Sequence, residues 1–128
     1  MKKIYDLQSI KNKEFISCKI ILEYEGRDVK LTYKSNVLEL FFVQEYPFFA
    51  LVSLRSLLEE SETFILCNGS RKDVYPSGNT ASGYLAYIMK MGKPAKKIVN
   101  IFESTTGIEK IVSVDEQKQY RDMWLKSF

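Results

Sequence analysis

Among its 128 residues this chain has no histidine. That removes Ser-His and Cys-His nucleophile pairs, imidazole general bases and imidazole metal ligands together. Lysine, carboxylate, tyrosine and cysteine are left for chemistry. The only two cysteines, Cys18 and Cys67, sit in apolar runs, Ile16-Ser17-Cys18-Lys19-Ile20 and Phe64-Ile65-Leu66-Cys67. They read as small buried hydrophobes, not as an activated thiol or a disulfide. Two cysteines without histidine cannot complete a structural zinc site, and no EF-hand spacing occurs. Gly92-Lys93 is not a phosphate-binding loop, because Tyr87 stands where glycine is needed and Pro94 where Ser or Thr is needed. Glu39, inside an apolar strand, reads as pointing to a polar face or an edge and not as a desolvated acid. The expectation is a protein that is not an enzyme and holds no cofactor and no metal.

Two other groupings suit binding. Residues 35–70 carry one base, Arg55, against five acids. Three of these, Glu59, Glu60 and Glu62, crowd the far end of an expected helix, either as a solvated terminus or as an acidic patch for a cationic partner. The following stretch is basic: Arg71, Lys72, Lys90, Lys93, Lys96 and Lys97, with Tyr75, Tyr84 and Tyr87 among them. Aromatics interleaved with bases on a sheet can stack nucleotides and hold phosphates, so a small RNA- or single-stranded-DNA-binding module over residues 71–97 is one reading. The net charge of +3 and pI of 8.8 fall short of the usual nucleic-acid footprint, and no RRM, KH or helix-turn-helix pattern occurs. The eight tyrosines also suit a protein interface, where they bury area at little entropic cost.

One domain over residues 1–128 must carry these groups, and its patterning predicts an α+β class with a mostly antiparallel sheet. Apolar residues alternate from Phe15 to Tyr24 and again from Asp28 to Lys34, with Glu25-Gly26-Arg27 between them. Val37 to Gln44 is more apolar and reads as a third strand covered on both faces, completing a meander. Pro47 opens a helix with Phe48, Leu51, Leu54, Leu57 and Leu58 as its apolar side. Thr63–Cys67 reads as a strand, Asn68-Gly69 as a type I′ hairpin turn and Ser70–Tyr75 as the return strand. Residues 76–83 read as a flexible loop. Tyr84–Met91 reads as a strand and Gly92-Lys93-Pro94 as a turn. Strand is favoured over helix for Lys96–Glu103, and Ile108–Val112 is the last strand. Ser113 and Glu116 have capping-box spacing for a C-terminal helix. Its stripe of Tyr120, Trp124 and Phe128 predicts a docking face against the sheet.

The basic N-terminus Met1–Asp6 has no apolar run behind it and does not read as a signal peptide. The longest nearly apolar stretch, Tyr46–Leu54, is far short of the roughly 20 residues a membrane span needs. A soluble, cytoplasmic protein that makes no membrane contact is therefore expected.

Two segments, Asn68-Gly69-Ser70-Arg71-Lys72-Asp73-Val74-Tyr75-Pro76-Ser77-Gly78 and Glu116-Gln117 through Tyr120 to Trp124-Leu125-Lys126-Ser127, resemble small cytoplasmic immunity proteins. Such proteins are found beside toxin genes in bacterial polymorphic-toxin and contact-dependent growth-inhibition loci. The resemblance implies stoichiometric binding to a cognate toxin domain, occluding its active site or its access to substrate. It carries over no binding residues. The residues that suit such a partner here are Glu59, Glu60 and Glu62 by charge, with Arg71, Lys72, Asp73 and Tyr75 as further contacts on the predicted hairpin.

Overall fold

The computed structural model describes residues 2–77, 83–105 and 107–128. It is α+β, as expected, with two antiparallel sheets and two helices. The first sheet contains β1 (Lys2–Lys11), β2 (Glu14–Glu25), β3 (Asp28–Ser35), β4 (Glu39–Gln44) and β5 (Thr63–Ile65), in the order β4-β3-β2-β1-β5. Helix α1 (Pro47–Glu59) therefore follows the fourth strand and not the third. The addition is β1, which pairs with β2 along its whole length, from Lys2 opposite Glu23 to Lys11 opposite Glu14. Its inward positions, Lys3, Tyr5, Leu7 and Ser9, are too mixed to read as an apolar face. Ser9 is nevertheless fully buried, because its hydroxyl bonds the Tyr33 hydroxyl at 2.9 Å and contacts the Cys18 sulfur at 3.4 Å. The β1–β2 turn is Asn12-Lys13, with φ of 51° and 67°. Two consecutive positive φ values are what a two-residue type I′ connection requires.

The inner face of this sheet meets α1. Ile20, Leu22 and Leu31 are fully buried with Phe48, Leu51 and Leu54 of the helix. Burying each such side chain contributes about 1.5–3 kcal/mol. Pro47 occupies the first turn as expected, while Leu57 faces solvent. Strand β4 is an edge covered on its inner face only: Phe41 and Val43 are 62% and 54% exposed. The expectation of cover on both faces was wrong here, because among the described residues no element packs over the outer side of β4.

Asn68-Gly69 does not turn a hairpin. Residues Asn68–Ser70 form a single 3₁₀ turn. The glycine is needed for close approach and not for its φ: a Cβ there would lie 2.5 Å from Leu51 Cδ2 and 3.1 Å from the Ile101 carbonyl oxygen. Cys67 instead bridges to Ser104. The return strand shrinks to β6 (Val74–Tyr75), which joins β7 (Leu85–Lys90) and β8 (Lys93–Asn100) in a second sheet ordered β6-β7-β8. The predicted strand over 96–103 is thus present but begins earlier and ends at Asn100. Ile101 and Phe102 follow it into the core, fully buried. Residues 108–112 form a 3₁₀ turn, Ile108–Lys110, and an isolated bridge from Ile111 to Arg71, because this stretch closes over the 68–71 turn and pairs with no full strand. The centre of the predicted 76–83 loop, residues 78–82, lies outside the described residues.

Helix α2 (Val114–Leu125) has the predicted capping box: Glu116 N–H donates to Ser113 Oγ at 3.1 Å and Ser113 N–H to Glu116 Oε1 at 3.3 Å. The helix packs on the second sheet. Trp124 Nε1–H donates to the Lys93 carbonyl at 2.9 Å, and Trp124 meets Phe128 edge-on at 5.1 Å. Val114 and Gln117 are its fully docked residues; Trp124 is half-buried and Phe128 mostly exposed. Among the described residues no helix is long and apolar enough to cross a membrane.

Candidate functional site

The two segments that carry the sequence resemblance are joined in space by one buried side chain. The two Nε2 hydrogens of Gln117 serve the carbonyls of Gly69, Arg71 and Val74, each 2.9 Å from the nitrogen, so that one hydrogen is shared between two of them. Its Oε1 accepts from Arg55 Nη1 at 2.6 Å. Arg55 is only 3% exposed and also donates to the Gly69 carbonyl at 3.0 Å and the Val112 carbonyl at 3.1 Å. Burial pulls its guanidinium below the ordinary value, with Cys67 and Glu59 opposing. This hub fixes α2 and the 68–74 turn to α1. Neither residue stood out as functional in the sequence, and the only signal was a lone base in an acidic stretch.

The predicted contact residues fall in three places. The Glu59 carboxylate accepts the Val114 N–H at 3.2 Å and so caps α2 from outside its own helix. Burial raises its pKa above the usual value; the Val114 bond and Arg55 lower it, and Asp115 and Glu116 raise it again. Glu60 and Glu62 are exposed. Asp115 and Glu116 at the start of α2 lie close enough to act on Glu59, and of these acids Glu59 and Glu116 are internally bonded, Glu116 through the capping box.

Asp73 is buried and held by Arg71, whose Nε and Nη2 donate to it at 2.9 and 2.8 Å, and by Lys110 at 3.3 Å. Burial pushes its carboxyl up, but Arg71 and Lys110 outweigh burial and hold it below its ordinary value. A carboxyl with a depressed folded-state pKa adds stability above its unfolded pKa and loses it as pH falls through the folded value. Asp73→Asn is expected to cost about 2 kcal/mol at neutral pH, because the cations lose their buried partner. That difference should shrink when urea unfolding is repeated below pH 3.8, the carboxyl's reference value.

Tyr75 lies between Phe48, at 5.0 Å between ring centroids, and the Arg121 guanidinium, 4.7 Å from its ring. Opposite it in register is Tyr87. The two line an open cleft of about 540 Å³ with Met89, Pro94, Trp124 and Phe128. Lys90, Lys93, Lys96 and Lys97 line a second depression that shares Pro94 with it. Lys72 stands over Tyr120 at 5.8 Å. Tyr84 is elsewhere, beneath Lys3 of β1 at 4.3 Å. Both cysteines are buried and free, and burial pushes both thiols above their ordinary values, which disfavours the thiolate. Among the described residues no cluster of acids and cysteines is arranged to hold a metal.

The outer face of the first sheet has no signature within any single strand of the sequence. In register, Ile4, Ile21, Thr32 and Phe41 form one row across four strands. Ile4 is 53% exposed. A row of Asp6, Lys19, Lys34 and Glu39 lies on one side, and Lys2, Glu23, Lys30 and Val43 on the other. Asp6 pairs with Lys19 at 2.8 Å and Lys34 with Glu39 at 3.7 Å, both in the open, where such pairs contribute little stability. Lys30 stands over the Phe41 ring at 4.8 Å. An apolar strip between charged rows has the layout of a binding patch, with a desolvating centre and a polar rim. No family model matches this chain, and no curated protein is significantly similar to it.

Proposed function

We propose that this protein is an immunity protein acting in the cytoplasm, which neutralises a cognate bacterial toxin domain by binding it and occluding its active site or substrate access. The observation that carries the reading is the uncovered sheet face, with its Ile4–Ile21–Thr32–Phe41 strip between charged rows. An inhibitor of this kind needs no reactive group of its own, only a shaped surface with a few apolar anchors. The exposed acids Glu60, Glu62 and Asp115 supply long-range attraction to a cationic toxin. The test is growth: cells expressing the toxin domain encoded next to this gene should survive only when this chain is co-expressed.

Reversing Glu60 and Glu62 to lysine should slow association about tenfold at low salt and leave the dissociation rate and melting temperature unchanged. Stopped-flow mixing at two ionic strengths reads this. Glu59 is left out because it holds the α2 N-terminus.

A second reading rests on the cleft of Tyr75, Tyr87, Trp124 and Phe128 beside Lys90, Lys93, Lys96 and Lys97. It is that of a module for single-stranded RNA or DNA, whose binding would weaken steeply with salt. Flat oligonucleotide titrations at low salt would remove it.

A further inference from the structure

Strand β4 forms one edge of the first sheet, and among the described residues no strand pairs with its free side. Proteins usually blunt such edges with lysine, proline, a bulge or brevity. Here the edge and its flanks expose a run of apolar side chains: Val37 at 80%, Leu38, Phe41, Val43, Tyr46 and Phe49. The only charge within the strand is Glu39, at its start.

We propose that two copies of this chain pair through β4, antiparallel about a twofold axis at Phe41, to make one continuous ten-stranded sheet. In a twofold strand pair, residues directly opposite lie on the same face of the sheet, so odd positions must meet odd and even meet even. With Phe41 opposite Phe41 of the second copy, Leu40 meets Phe42 on the inner face and Glu39 meets Val43 on the outer face. Shifting the axis to Phe42 would set Glu39 against Glu45, two like charges directly opposed. The Phe41 register also fits the next strand in. Val43 is opposite Lys30 of β3, so each Glu39 has its own Lys34 on one side and the second copy's Lys30 beyond Val43 on the other. The Ile4–Ile21–Thr32–Phe41 row then continues across the seam, from Ile4 of one copy to Ile4 of the other. The second copy fits better than a foreign strand because the edge is complementary to itself in apolar contact and in charge. This inference is independent of the toxin-binding reading, and the purified chain alone tests it.

Sedimentation velocity should give a species of twice 14.9 kDa. Phe41→Lys and Phe41→Glu, each placing like charges on the axis, should weaken self-association about a hundredfold. Their fold should be kept, because Phe41 is largely exposed within one chain; far-UV circular dichroism checks this. An equal mixture of the two variants should recover a dimer, since lysine then faces glutamate. A wild-type chain that stays monomeric to near-millimolar concentration would overturn the proposal and leave the edge to a strand of another protein. A dimer indifferent to both substitutions, or one that the mixture fails to restore, would overturn it equally.

Discussion

Replacing Arg55 by methionine lowers the unfolding free energy by about 3–5 kcal/mol, the range for removing one partner of a buried charged network. The size follows from what the guanidinium leaves behind. Gln117 Oε1 and the Val112 carbonyl lose their donor, and each buried polar atom without a partner costs about 1–3 kcal/mol. The Gly69 carbonyl keeps its bond from Gln117. Lysine should be no rescue: one ammonium on a flexible stem cannot replace a planar fork that reaches three acceptors. Urea unfolding followed by fluorescence of Trp124, the only tryptophan, measures this with the slope expected to stay constant. A loss below about 1 kcal/mol would mean that α2 is held by its capping box and apolar contacts and not by the hub.

If the strip is the toxin-binding surface proposed above, substituting Ile4 by aspartate should weaken that binding about a hundredfold, as expected for an apolar anchor residue. The side chain is 53% exposed and sits at the β1 end of the outer strip, opposite Ile21. A carboxylate there puts a charge into a contact that must lose its water, and it has no cation directly opposite in the β1–β2 pair. Stability should change by less than about 1 kcal/mol, because the position already faces solvent. Ile4 is also three strands from the β4 edge, so loss of binding in this variant is separable from loss of self-association. Calorimetric titration and a thermal melt of the same protein read the two quantities.

The fold was legible where one face alternates cleanly. Strands β2 and β3 follow the period-two runs, and Ser113 with Glu116 marks the start of α2. It was illegible where a position is occupied for a reason other than hydrophobicity. Ser9 faces inward for hydrogen bonds to Tyr33 and contact with Cys18, which hides β1. Asn12-Lys13 takes the positive φ that Asn-Gly usually advertises, while Gly69 serves close contact with Leu51 and Ile101. The acids and bases were visible in the sequence, but not which of them are spent internally: Glu59 on Val114, and Asp73 on Arg71 and Lys110. The apolar strip could not be read at all from one strand. Ile4, Ile21, Thr32 and Phe41 become neighbours only once three strand registers are fixed.

The most direct measurement is a titration of the purified toxin domain with this protein, following the toxin's own activity. Toxin activity should fall linearly to zero with an end point at one chain per toxin domain, and Ile4→Asp should give a shallow, incomplete curve. Full toxin activity at excess inhibitor, or inhibition that Ile4→Asp leaves untouched, would contradict it.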